Sequence, residues 1–138
     1  MTYLLDTNVV SEPVRPRPDP TVLAWLTQQD TSDLAISVVT IMELEKGILL
    51  LERRNPQAGA RLRRWFIAKV IGHFAPRILP VDLAAARATA PLHVPNPAPE
   101  RDALIAGTAL AHDLIVVTRN VADFDRFGVP YVNPWETL

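Results

Sequence analysis

Four short apolar runs, separated by longer segments of helical period, constrain the fold of this chain more than any other feature. They are Thr2–Leu5, Leu34–Ser37, Arg77–Val81 and Leu114–Thr118, and each ends at or just before a polar residue. Continuous apolar stretches of this length read as strands buried on both faces. Tyr131–Val132 is a candidate fifth strand. The segments between them carry helix-start signals. Asp19-Pro20 pairs a cap with a helix-compatible proline and opens a helix over about residues 20–29. Ser37 caps a helix running through Arg54, and Asn55-Pro56 opens another towards His73. Asp82 caps the Ala-rich residues 83–90, and the Pro-rich residues 91–99 read as a non-helical loop. Pro99, Glu100 and Asp102 open a last long helix ending near His112, the acids suiting its positive N-terminal end. Strands alternating with helices predict an α/β fold, with a mostly parallel sheet of four or five strands covered by helices on both faces. The length of 138 residues predicts one domain over residues 1–138. In such a sheet the functional crevice lies at the carboxyl ends of the strands.

With no cysteine, disulfide frameworks, thiolate zinc sites and cysteine nucleophiles are excluded. The 14 Lys+Arg against 15 Asp+Glu exclude a uniformly basic nucleic-acid binder but not a local basic patch. Asp6 interrupts the only apolar run near the N-terminus, and no stretch approaches a membrane span. A cytoplasmic protein with no membrane role is expected.

The informative acids stand at the ends of the strands. Asp6 directly follows Tyr3-Leu4-Leu5. Asp102 lies on the apolar stripe of its helix with Ile105, Ala106, Ala109 and Leu110, where an unpaired carboxylate is costly. Glu43 flanks the stripe Ile41, Leu44, Ile48 and Leu51, with Gly47 one turn on, as expected where something approaches that helix closely. Thr118-Arg119-Asn120 follows the last long strand, and Asp123 three residues later reads as a helix cap rather than a ligand. Each of these residues also has a structural reading as a cap, a first-turn acid or a tolerated polar residue. Together they map to one edge of the sheet, where like charges about 4 Å apart repel by about 4 kcal/mol at an effective dielectric of 20. A divalent cation relieves that repulsion. An all-oxygen donor set points to Mg²⁺ or Mn²⁺, whereas His73, His93 and His112 lack zinc-ligand spacing.

Positive charge is concentrated elsewhere. Lys46, Arg53, Arg54, Arg61, Arg63, Arg64, Lys69 and Arg77 share their segment with one acid, Glu52. Arg53, Arg54, Arg61 and Arg64 are therefore candidate RNA-backbone contacts, against the simpler reading of a solvated helix surface. Trp25, Trp65 and Trp135 read as packing residues before stacking ones.

Asp6-Thr7-Asn8-Val9, Glu43-Leu44 with Gly47, Asp102 with Ala106, and Thr118-Arg119-Asn120 resemble the PIN-domain family, in order and along the whole chain. Among PIN domains they are most similar to the VapC-type toxin ribonucleases. Ser11-Glu12-Pro13, Arg77-Ile78-Leu79-Pro80 and Asn133-Pro134-Trp135 look like the FitB-like branch. The resemblance implies a three-layer α/β/α sandwich and a Mg²⁺- or Mn²⁺-dependent endoribonuclease leaving 5′-phosphate and 3′-hydroxyl ends. It implies catalytic positions at Asp6, Glu43, Asp102 and Asn120, with Asp6, Asp102 and Glu43 as metal ligands. Asn120 stands where many members carry Asp, so it offers a carbonyl oxygen without charge and favours a single metal. Asn8 and Thr118 are candidates to fix the carboxylates through hydrogen bonds. The resemblance further implies a homodimer, an RNA substrate such as tRNA, and a cognate antitoxin through which operator DNA is bound. The competing reading is a catalytically weak subunit acting mainly in that DNA-bound complex. A phosphotransfer domain using Asp6 as nucleophile is disfavoured, because Asp6-Thr7-Asn8 lacks a second Asp.

Overall fold

The computed structural model describes residues 1–136. In chain order the elements are β1 (Tyr3–Leu5), α1 (Thr7–Ser11), α2 (Pro20–Gln28), β2 (Leu34–Ser37), α3 (Val38–Arg54) and α4 (Pro56–Trp65). There follow α5 (Gly72–Phe74), β3 (Ile78–Leu79), α6 (Leu83–Thr89), α7 (Glu100–Ala111), β4 (Ile115–Val117), α8 (Val121–Asp125) and β5 (Tyr131–Val132). The five strands form one sheet in the order β3-β2-β1-β4-β5. Every pairing is parallel, with Tyr3 beside Leu34 on one side and beside Ile115 on the other.

Successive strand residues serve opposite faces, as the two-residue pleat requires. Leu4, Ala35 and Val116 join Ala103, Ile105, Ala106 and Ala109 of α7 on one side of the sheet. Leu5, Ile36 and Val117 join Val9 and Val10 of α1, Ile48 of α3, and Phe66 and Val70 on the other. Helices therefore cover both faces, and the expected three-layer α/β/α sandwich with five strands is what forms.

The caps operate as the sequence suggests. Asp19, Ser37, Asn55 and Asp82 each accept a backbone N–H in the first turn of the helix that follows. Two expectations need correction. The helix expected from Pro56 to His73 is interrupted after Trp65 by a wider turn over Phe66–Ile71. Phe66, Val70 and Phe74, four residues apart, are all buried along this segment, a spacing that both the wider turn and an ordinary helix keep near one face. The loop expected over residues 91–99 begins as a 3₁₀ turn, Ala90–His93, with Pro91 at a first-turn position that needs no N–H. Helix α1 is too short for any periodic signal.

Gly107 allows α6 and α7 to touch. A Cβ there would lie 2.9 Å from the Thr89 Cα and would meet its side chain. Gly107→Ala is expected to lower stability by about 1–3 kcal/mol through overpacking, measured by urea unfolding. Gly47 is the opposite case. A Cβ there meets nothing within 4 Å, so no part of this chain makes the close approach expected at Gly47.

Candidate active site

The sheet's order places its switch point between β1 and β4. The chain leaves β1 towards β2 on one side and leaves β4 towards β5 on the other, which opens a crevice at their carboxyl ends. Asp6 and Thr118 are the first residues beyond those two strands. The Asp6 backbone N–H bonds the Val117 carbonyl at 2.9 Å, tying the two strand ends together.

Asp6 is only 4% exposed. Its Oδ1 accepts the Thr7 N–H at 2.8 Å and so caps α1. Its Oδ2 accepts the Thr118 hydroxyl at 2.8 Å, and the Thr118 oxygen in turn accepts the Asn120 N–H at 2.9 Å. Burial pushes the Asp6 carboxyl above the ordinary aspartate range. The bonds from Thr118 and Thr7 oppose this, the charge of Glu43 adds to it and Arg101 opposes it.

Glu43 reaches the same rim from the second turn of α3. Its Oε1 accepts the Thr7 hydroxyl at 2.9 Å, and its Oε2 accepts from Arg101 Nη1 at 2.6 Å. The Thr7 and Thr40 hydroxyls are 3.0 Å apart. Since Thr7 spends its proton on Glu43, Thr40 must donate to Thr7. This chain of hydroxyls fixes the Glu43 rotamer from the α1 side, while Arg101 holds it from the α7 side.

Asp102 projects from the first turn of α7, partly buried, with no hydrogen bond or ion pair among the described residues. Its carboxyl is also raised, first by burial and then by the charges of Asp6 and Asp123, with Arg101 opposing. Asp102 therefore feels the charges of Asp6 and Asp123, and Asp6 feels that of Glu43. Among the described residues, no three acidic or imidazole side chains stand close enough to form a complete ligand set. Glu43 is turned towards Arg101.

The remaining candidates are placed as follows. Asn120 is exposed and contributes its backbone N–H, while its side chain makes no hydrogen bond. Among the described residues Asn8 makes no hydrogen bond to Asp6 or Glu43, and its Oδ1 is buried without a hydrogen-bond partner. Thr7, one residue earlier, makes the carboxylate contacts expected of Asn8. Arg101 and Thr40 carry no sequence signal for their contacts with Glu43 and Thr7. Asp123 was read as a cap, yet its charge reaches Asp102.

The basic segment divides into committed and free residues. Arg63 bonds Glu52 at 2.7 and 3.0 Å and Glu45 at 2.7 Å, and Arg77 bonds the Leu34 and His73 carbonyls. Arg53, Arg54, Arg61 and Arg64 are exposed and make no ion pair among the described residues. An open groove of about 380 Å³ passes Glu43, Leu44 and Gly47 and reaches Arg54 and Trp65, linking the acidic rim to this face.

Residues 3–130 match the family model described as PIN domain. The chain is 38% identical over 138 residues to the toxin FitB of Neisseria gonorrhoeae, covering 96% of this chain and 97% of the relative. It is 37% identical over 142 residues to the VapC ribonuclease Y4jK of Sinorhizobium fredii, with 96% and 97% covered. Among solved structures, FitAB bound to the IR36 DNA fragment superposes with a TM-score of 0.92 at 34% identity, covering 99% of this chain and 98% of that one.

Proposed function

The chain belongs to the PIN-domain family, and we propose that it acts as one PIN domain, the toxin of a toxin–antitoxin pair, and cleaves RNA as a Mg²⁺- or Mn²⁺-dependent endoribonuclease. The observation that carries this reading is Asp6, a buried carboxylate at the β1/β4 switch point, whose charge helps to raise a second carboxyl, Asp102. Two carboxyls raised first by burial, Asp6 further by the charge of Glu43 and Asp102 further by the charge of Asp6, suit a small hard cation, with no sulfur or imidazole in the set. Mg²⁺ ordinarily takes one or two carboxylates and keeps waters and phosphate oxygens for its other positions, so Asp6 and Asp102 suffice to hold it. Glu43 completes the set when it leaves Arg101. The carbonyl of Asn120 is an uncharged further donor, consistent with one ion rather than two. When bound, such an ion supplies a Lewis acid for a non-bridging phosphate oxygen and makes water a better nucleophile at neutral pH.

The chain's own residues do the rest. Thr118 and the Thr7 N–H keep both Asp6 oxygens oriented. Thr7 and Thr40 hold Glu43 at the edge of the crevice, where a carboxylate can take the proton of an attacking water. Arg101, 63% exposed at its side chain, is free to swing from Glu43 to a phosphate. Arg53, Arg54, Arg61 and Arg64 follow the RNA backbone away from the crevice. Charge reversal at Arg61 and Arg64 is expected to weaken RNA binding about tenfold or more and to flatten its salt dependence, read by filter binding across a salt series.

The partner is a cognate antitoxin, through which the pair reaches operator DNA; the DNA-bound FitAB complex supports this. A homodimer is supported by the outer face of α3, where Met42, Leu49 and Leu50 are 57%, 53% and 57% exposed. No helix among the described residues is long and apolar enough to cross a membrane, which suits a cytoplasmic role. A second reading, a catalytically weak subunit of the DNA-bound complex, is favoured by the uncharged Asn120. Antitoxin-free protein separates the two. Cleavage of RNA that stops with EDTA and returns with Mg²⁺ or Mn²⁺ supports the nuclease, and its absence at full folding supports the second reading.

A further inference from the structure

Beside the acidic rim lies a second cleft of about 400 Å³, walled by Glu12, Arg15, Arg17, Asp19, Arg119 and Trp135. We propose that it binds one nucleotide of a single-stranded RNA next to the cleavage site, its phosphate held by Arg15 and Arg17 and its base laid against Trp135 and Arg119. This rests on the ribonuclease reading and adds to it a place for the neighbouring nucleotide.

The cleft adjoins the crevice on both sides. Glu12 follows α1 directly, and α1 is capped by Asp6; its five residues span on the order of 7 Å. Arg119 stands between Thr118, which bonds Asp6, and Asn120. A strand entering the crevice between β1 and β4 therefore passes this cleft.

One oxygen of each acid in the cleft is already committed to a backbone N–H. Glu12 is 3% exposed, and its Oε2 accepts the Asp19 N–H at 2.8 Å, closing the loop that presents Arg15 and Arg17. Asp19 Oδ1 caps α2 through the Thr21 N–H at 2.8 Å. Glu12 Oε1 has no hydrogen-bond partner, and Arg15 stands 3.6 Å from it with its side chain 60% exposed. That is too long for a tight ion pair, so Arg15 is held loosely and is free to turn to a phosphate. Arg17 makes no ion pair among the described residues. The Arg119 guanidinium lies over the Trp135 ring, 5.2 Å from its centre, so a base in the cleft would stack on a planar cation itself backed by the indole. Trp135 also packs against the core and is thereby fixed in place. The groove along Glu43 and Leu44 offers mainly apolar walls, whereas this cleft offers charge and one aromatic face, which suits a nucleotide better than a peptide.

The test is binding of a fluorescein-labelled single-stranded RNA oligonucleotide to the antitoxin-free full chain in EDTA, across a salt series. Arg17→Ala and Arg119→Ala are each expected to weaken binding about five- to tenfold and to lower the salt slope by about 0.7 per charge removed. Arg119→Lys should keep the slope yet lose affinity, because it removes the planar cation. RNA should quench tryptophan emission, and Trp135→Phe should abolish the quench while Trp25→Phe does not. Unchanged thermal midpoints separate these effects from misfolding. If the wild type binds and cleaves RNA while these variants bind with its affinity and slope, the cleft proposal is wrong and the nuclease reading stands. If the wild type neither binds nor cleaves RNA, both are wrong. Equal or tighter binding of a DNA oligonucleotide of the same sequence also overturns the assignment to RNA.

Discussion

Asp6→Asn and Asp102→Asn are each expected to cut RNA cleavage by about 10³-fold or more, equivalent to about 4 kcal/mol of transition-state stabilisation. Both variants should fold. In EDTA at neutral pH the Asp102→Asn midpoint should equal or exceed the wild type's, whereas Asp6→Asn is relieved of the buried charge but loses an acceptor for Thr7 or Thr118, so its midpoint should stay near the wild type's. The reason is electrostatic. Folding raises both carboxyls above the ordinary aspartate value of 3.8, so the folded chain retains protons that the unfolded chain has already released. Stability in EDTA therefore falls as pH rises from that value until both groups have ionised, and their ionised forms remain a burden at neutral pH. An amide removes that burden. Mg²⁺ or Mn²⁺ should relieve it in the wild type, raising its midpoint, and should do so far less in either variant. Cleavage assays paired with thermal melts in EDTA and in excess Mg²⁺ check both halves. A variant that is inactive but also unfolded, or active at near-normal rates, contradicts the assigned roles.

Thr118→Val is the second variant with a large expected effect, because it keeps shape and removes only a hydroxyl. That hydroxyl donates to buried Asp6 at 2.8 Å and accepts the Asn120 N–H. Its loss removes one of the bonds that favour the ionised carboxylate, so the Asp6 carboxyl should rise further. A hydrogen bond to a charged, buried group contributes about 1.5–3 kcal/mol, and urea unfolding at neutral pH should show a loss of about that size. Cleavage at neutral pH should drop about tenfold. The acid limb of the pH–rate profile should move to higher pH, since a higher pH is then needed to ionise Asp6. Thr118→Ser should restore most of both. A purely structural role would lower stability without moving the pH profile.

What could be read from the sequence depended on the range of the interaction concerned. The strands from Leu34 to Ser37 and from Tyr131 to Val132 match the structure at both ends, and helix α3 begins and ends at the residues its Ser37 cap and Asn55-Pro56 stop suggest. These are local signals, written in caps and apolar runs. Asp102 stood out because an acid on an apolar stripe breaks a pattern. Arg101 was visible only as a neighbouring charge, since its partner Glu43 is 58 positions away and is brought near by the docking of α3 and α7. Thr7 and Thr40 are ordinary helix residues until β1 and β2 pair and place α1 beside α3. The turn at Phe66–Ile71 was hidden because four-residue spacing of apolar residues fits an ordinary helix almost as well. Glu12 went unexamined within Ser11-Glu12-Pro13, because burial of an acid among polar neighbours leaves no trace in composition.

The central claim is that Asp6 and Asp102 share one divalent ion. Crystals of the antitoxin-free protein soaked in Mn²⁺, with data collected to record its anomalous scattering, test this most directly. The predicted result is a single strong peak at about 2.0–2.2 Å from an oxygen of Asp6 and of Asp102, absent in Asp6→Asn. No peak between these two carboxylates at saturating Mn²⁺, or a peak held by other residues while RNA cleavage persists, would contradict it.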